Sequence, residues 1–163
     1  MNERVAPLYE ILKLNSRLFL NCLDGMSEDQ ARWRPNADTN NATFIAMHMV
    51  DARCRLAALV GLKVESPFGA ALKAAKTIDD IKAWPRLEEV CGAWKAVTGE
   101  LRERFKQIGP DDLAKVMPSK YPTDDPTVLG AVAFLLHHDT YHLGMLSLLR
   151  KQVGLPAMTY REP

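Results

Sequence analysis

The chain is short of cysteine, of net charge and of long apolar runs, and each shortage narrows what it can do. Its three cysteines, Cys22, Cys54 and Cys91, are odd in number, far apart and without a CxxC motif. No disulfide framework is expected from them, only reduced and mostly buried thiols of the kind found in cytoplasmic proteins. Basic and acidic residues number 21 and 20, a formal net charge of +1. No basic excess marks a nucleic-acid partner. The longest apolar run, VLGAVAFLL, ends at His137 and is too short to span a bilayer. The opening MNERVAPLYE mixes both charge signs and has no apolar h-region, so no signal peptide is expected and a cytoplasmic location is.

What is present reads as helix. With 163 residues, 47% apolar and 25% charged, the chain has the balance of one globular domain over 1–163. A first helix is expected over roughly Asn2–Leu23, with Leu8, Ile11, Leu12, Leu18, Phe19 and Cys22 on its buried side and Asp24-Gly25 as its stop. Ser27 and Gln30 have the spacing of a capping box. A second long helix is expected over roughly Ala42–Val60, capped by Asn40, Asn41 or Thr43, with Phe44, Ile45, His48, Ala52, Leu56 and Leu59 as its buried stripe. The connection from Leu62 to Trp84 is long for a helical bundle. It carries start signals at Ser66-Pro67 and at Thr77, and suits either a rim to a site or a surface excursion.

A third helix, roughly Pro85–Ile108, has the cleanest seam: Leu87, Val90, Trp94, Val97, Leu101, Phe105 and Ile108 recur every three or four residues. Gly109-Pro110 breaks it, and MPSKYPTDDPT is a proline-stiffened loop. A fourth helix, roughly Thr127–Val153, is expected with Asp125-Pro126 at its start. It is apolar on nearly every face, as a helix surrounded by its own bundle or by a dimer partner would be. No segment alternates with the period of a strand. The expected fold is all-α, an up-and-down four-helix bundle.

The four histidines sit on two of these helices. His138 and His142, four residues apart, share one face of the fourth helix and fall in its seam with Val128, Ala131, Leu135, Met145 and Leu149. His48 takes the same kind of slot on the second helix. An imidazole in an apolar seam is unfavourable unless both nitrogens find partners. Two explanations fit. The histidines are core residues satisfied by hydrogen bonds, or they converge on a divalent cation as neutral ligands. His137, rotated about a quarter-turn from His138, falls outside the ligand set.

Three stretches carry a resemblance to a known family: MSEDQARWRP, TFIAMHMVDARCRL and HDTYHLGML. With one histidine on the second helix and an HxxxHxG element on the fourth, the chain resembles the DinB/YfiT-like superfamily of metal-dependent four-helix bundles. The resemblance covers most of the chain and implies His48, His138 and His142 as ligands, with Gly144 completing the motif. Met145 stands where the family often has glutamine, so that amide is missing here.

Three imidazoles leave coordination positions open, as in catalytic rather than sealed zinc sites. They suit zinc, nickel, iron or copper better than magnesium or calcium, and ligand type does not discriminate among the four; zinc or nickel is expected first, iron or copper next. Such a site activates bound water or deprotonates a thiol. Relatives include transferases that use low-molecular-weight thiols such as bacillithiol, and a mycothiol-dependent isomerase. The resemblance therefore implies a thiol-dependent S-transferase acting on a small molecule in stress or detoxification. Metal-dependent hydrolysis and a non-catalytic, stress-related dimerising protein are the competing functions.

Asp51, one turn after His48, is the candidate catalytic carboxylate; its alternative is a salt bridge to Arg53 or Arg55. Asp139, beside His138, has the same two readings. Trp33 and Tyr141 line a pocket or belong to the core. Nothing in the sequence lowers the pKa of Cys54, which is not expected to be a nucleophile. A homodimer is expected, with neither membrane nor nucleic acid as partner.

Overall fold

Prolines and glycines set where the helices begin and end. The computed structural model describes residues 1–118 and 120–160. In it α1 covers Ala6–Leu23 and begins later than expected. A start at Asn2 would put Pro7 beyond the first turn, where its ring collides with a carbonyl of the preceding turn. From Ala6 it lies within that first turn. Gly25, at φ +68°, supplies the left-handed stop. The capping box forms ahead of α2 (Glu28–Arg32): Gln30 N–H donates to Ser27 Oγ at 3.2 Å, and Ser27 N–H donates to Gln30 Oε1 at 3.0 Å.

Asn41 is the residue that caps α3 (Ala42–Leu59), its Oδ1 accepting the Phe44 N–H at 2.8 Å. The connection that follows holds α4 (Gly69–Ala74) and a 3₁₀ turn at Ile78–Asp80. Next, α5 spans Leu87–Gln107 and leaves Pro85 outside; Glu89 accepts the Arg86 N–H at 2.7 Å and so takes up a donor of the first turn. Its seam is buried as expected, through Ile108. Pro110 does more than break α5, since it opens the short α6 (Pro110–Ala114).

The last helix, α7, spans Val128–Gln152. Asp125 does not cap it. The Asp125 carboxylate instead accepts the N–H and hydroxyl of Thr127, at 2.9 and 2.6 Å, and Thr127 is the residue that enters the helix. Pro126 therefore lies outside, where its carbonyl accepts the Met117 N–H at 2.8 Å. The stiff loop between α6 and α7 is seen apart from Ser119, which is outside the described residues. One isolated bridge, Val116 to Thr127, closes it.

The fold is all-α, with no strand among the described residues. The four long helices pack in a ring, α1 against α5 and α7, and α3 against the same two. Phe19 of α1 stacks on Trp94 of α5 with centroids 4.1 Å apart, and burial of each such side chain contributes about 1.5–3 kcal/mol.

Two expectations change. The helix enclosed nearly all round is α3, which buries Thr43, Ala46, Met47, Met49, Val50 and Ala57 as well as Ile45, Ala52 and Leu56 of its expected stripe, while Phe44, His48 and Leu59 are half-buried. By contrast α7 leaves His137, Tyr141, Gly144 and Leu148 exposed along one face. Ile11, expected inside, is 39% exposed, because the buried side of α1 is completed by Tyr9, Asn15, Ser16 and Leu23 instead. No helix among the described residues is long and apolar enough to cross a membrane.

Candidate metal centre

His48 projects from α3, and His138 and His142 from successive turns of α7, a helix packed against α3. Their Nε2 atoms converge. His138 Nε2 lies 3.0 Å from His48 Nε2 and 3.1 Å from His142 Nε2, and all three ligand atoms fall within 4.8 Å of one another. The rings meet edge-on, with centroids 4.4–4.9 Å apart.

Hydrogen bonding alone does not satisfy this cluster. A neutral imidazole has one N–H and one lone pair, and His138 Nε2 faces two other nitrogens at once. Among the described residues, the Nδ1 atoms of His138 and His142 are buried without hydrogen-bond partners. If the ring protons sit on Nδ1, three Nε2 lone pairs point at one small volume. A cation there turns the repulsion into coordination. Metal–imidazole bonds of about 2.0–2.1 Å, at angles from right-angled to tetrahedral, separate neighbouring nitrogens by about 2.9–3.4 Å. The two contacts at His138 fall in that range, and with all three ligand atoms within 4.8 Å of one another the trio could hold a divalent transition metal.

The electrostatics favour the unprotonated ligands. Burial pushes the His138 pKa down to about 4, helped by the charges of His48, Arg55 and His137. His142 is likewise pushed down to about 4 by burial, then by His138 and His48. His48 is lowered by burial and by Arg55, against an opposing pull from Asp51. At neutral pH all three imidazoles are neutral and need lose no proton to bind a metal.

Around the triad, Asp51 pairs with Arg55, Oδ2 to Nη2 at 3.2 Å. The long connection reaches this side: a Cβ built on Gly69 would lie 3.0 Å from Asp51 Oδ1, so the first residue of α4 forms a rim beside Asp51. The Phe134 ring lies 6.2 Å from His138, and the Tyr141 ring 5.0 Å from His142. Tyr141 is 62% exposed and Trp33 42% exposed, so neither belongs to the core. His137 is exposed and apart from the converging nitrogens. Burial and the charges of Asp51 and Glu100 raise the Cys54 pKa to about 11, which leaves an inert thiol at neutral pH.

Asp139 resolves into a structural role. Its Oδ2 lies 2.6 Å from Nη2 of Arg53, with both side chains buried. Burial raises the Asp139 pKa and lowers that of Arg53, and their mutual attraction opposes both shifts. Arg53 Nη1 donates to Ser16 Oγ at 3.0 Å and Thr98 Oγ1 at 3.4 Å, and the guanidinium stacks 3.9 Å over Trp94. One buried cation thus ties α1, α3, α5 and α7 together. Sequence reasoning offered Arg53 as a partner for Asp51 and missed that it is buried and pairs with Asp139 instead, although the signal was there. Arg53 and Asp139 interrupt apolar seams of opposite helices with opposite charges, as the histidines interrupt the same helices.

No curated protein matches the chain. The family pattern described as the DinB superfamily matches residues 11–146, a span that carries all three converging histidines, and the chain belongs to that superfamily.

Proposed function

We propose that the protein is a metal-dependent enzyme that joins a low-molecular-weight thiol to a small electrophile, a detoxifying S-transferase. The convergence of three neutral imidazoles on one point carries this reading. His48, His138 and His142 would hold the metal through Nε2, zinc or nickel first and iron or copper next. When bound, the metal supplies Lewis acidity that favours ionisation of a thiol in its open position.

The chain's own residues supply the rest. Asp51 is assigned the proton of the S–H bond, taken at Oδ1, because Oδ2 is engaged by Arg55. The sulfur then forms a bond to the electrophilic carbon while the leaving group departs with its electron pair. The Gly69 segment and Tyr141 border the space in which that reaction runs. Buried Cys22 and Cys54, both with pKa raised to about 11, do not compete as nucleophiles. We also take the working form to be a homodimer through the exposed α7 face, supported by Tyr141 and Leu148 at 62% and 58% exposure.

The test is elemental analysis of tag-free protein, followed by conjugation. Stoichiometric zinc or nickel, a rise in melting temperature on adding either, and metal-dependent conjugation of a bacterial thiol to monochlorobimane are expected. No bound metal and unchanged melting would overturn the metal-dependent reading. Metal binding without conjugation would overturn the transferase.

A further inference from the structure

On the side of the ring opposite the triad, α1 meets α5. A cleft of about 310 Å³ opens there, walled by Lys13 and Arg17 of α1 and by Lys95 and Arg102 of α5, with no carboxylate in its lining. On a chain whose formal net charge is +1, this grouping of cations in one concavity concentrates a field that attracts anions. Glu10 meets Lys13 at 2.8 Å, and Glu103, next to Arg102, is taken by Lys106 at 2.6 Å, so neither neutralises the α5 wall. Lys95 and Arg102 form no ion pair among the described residues. Arg17 is held at the cleft by its Nη2, which donates to the Tyr160 carbonyl at 2.7 Å.

The floor supplies a donor. Ser16 and Thr98 line it, and both hydroxyl oxygens accept from Arg53 Nη1 behind them, at 3.0 and 3.4 Å. Ser16 gives its own proton to the Leu12 carbonyl. Thr98 is only 7% exposed, yet its O–H has no acceptor among the described residues. A buried donor left in that state is unfavourable, and an oxyanion seated between the two basic walls would accept from it. Donors that reach in from two helices and from the floor surround a tetrahedral phosphoryl group better than a planar carboxylate. The cleft runs into a second one of about 570 Å³, which shares Lys13, Arg17 and Arg102 and adds Ile11 and Leu14. That apolar surface, with Ile11 39% exposed, gives an organic body a place to rest. Gly99 keeps the α5 wall low, since a Cβ there would meet nothing within 4 Å.

We propose that this cleft is a second ligand site, separate from the metal centre, for a small organic phosphate carrying at least two negative charges. Its phosphoryl oxygens take Lys95, Arg102 and the Thr98 hydroxyl, and its body lies against Ile11 and Leu14. The test is calorimetric titration of the full-length protein with ADP, pyrophosphate and succinate. ADP is expected to bind more tightly than pyrophosphate, and succinate about tenfold more weakly than either phosphate. Lys95→Gln and Arg102→Gln should each lower ADP affinity about tenfold, the loss of one charge-assisted contact, and Arg102→Lys should keep part of it. Gly99→Leu places a better helix former than glycine in α5; it should melt no lower than wild type yet close the cleft to ADP. His142→Ala should bind ADP as wild type does, and added salt should weaken binding in both. No binding to wild type, unaltered affinity in Arg102→Gln and Gly99→Leu, or loss of binding in His142→Ala overturns the proposal. Pyrophosphate matching ADP overturns the organic body, and succinate matching ADP overturns the phosphate.

Discussion

Arg53 and Asp139 form a buried ion pair of 2.6 Å between the two helices that carry the histidines. Arg53 lies five residues after His48, and Asp139 directly follows His138, so the pair sets the register in which the imidazoles face each other. Removing one partner strands a charge in the core. Asp139→Ala is expected to destabilise the protein by about 3–5 kcal/mol, measured by urea unfolding. The double variant Arg53→Met/Asp139→Leu should recover most of that loss, because two apolar side chains of similar size remove both charges together. A loss below about 1 kcal/mol for Asp139→Ala would show that the pair is solvated in solution.

The triad gives a prediction that separates neighbouring histidines. His48→Ala and His142→Ala each remove one of three converging nitrogens, and stoichiometric metal binding should be lost in both. His137→Ala, adjacent to a ligand but exposed on another face, should bind metal as wild type does. Elemental analysis of dialysed protein checks this. Loss of metal in His137→Ala with retention in His142→Ala would place the centre on the other side of α7.

The histidine pair was legible because helical periodicity alone sets residues four apart on one face. The meeting of His48 with that pair depends on how α3 packs against α7, a tertiary fact that seam position suggests but does not contain. Helix limits moved where side-chain chemistry competed. Asp125 satisfies Thr127 rather than the helix, and Pro110 opens a turn where it was expected only to break one. Arg53 was expected only as a candidate partner of Asp51, because arginine in a helix ordinarily reaches water; only its pairing with a carboxylate on another helix makes a buried position tolerable. The exposed face of α7 was also unreadable, since a run apolar on all sides does not say which side lacks a neighbour.

Thiol reactivity tests the assignment of chemistry to a co-substrate. Burial raises the pKa of Cys22 and Cys54 to about 11 and that of Cys91 in the same direction. A raised thiol pKa keeps the unreactive S–H form across the neutral range, and thiolate accumulates only as pH approaches the raised value. At pH 8 the native protein should therefore react slowly with an aromatic disulfide reagent, whereas the denatured chain should release all three thiols at once. Cys54→Ala should leave metal binding unchanged. Fast labelling of native Cys54 would return a protein nucleophile to consideration.

The exposed α7 face makes the dimer testable through Gly144. The face runs His137, Tyr141, Gly144 and Leu148 at helical spacing, and a Cβ on Gly144 would meet nothing within 4 Å in the isolated chain. A mid-helix glycine with open space around it forgoes about 0.5–1 kcal/mol relative to alanine. In a monomer, Gly144→Ala would be stabilising by that amount. In the proposed dimer the bare backbone lets a second copy approach closely between Tyr141 and Leu148, and the added methyl weakens association. Sedimentation velocity should show dimers for wild type, a shift towards monomer for Gly144→Ala, and monomer alone for Leu148→Glu, which sets a charge in the apolar contact. Monomeric wild type with a stabilised Gly144→Ala would remove the dimer while leaving the metal centre intact, since the imidazoles come from one chain.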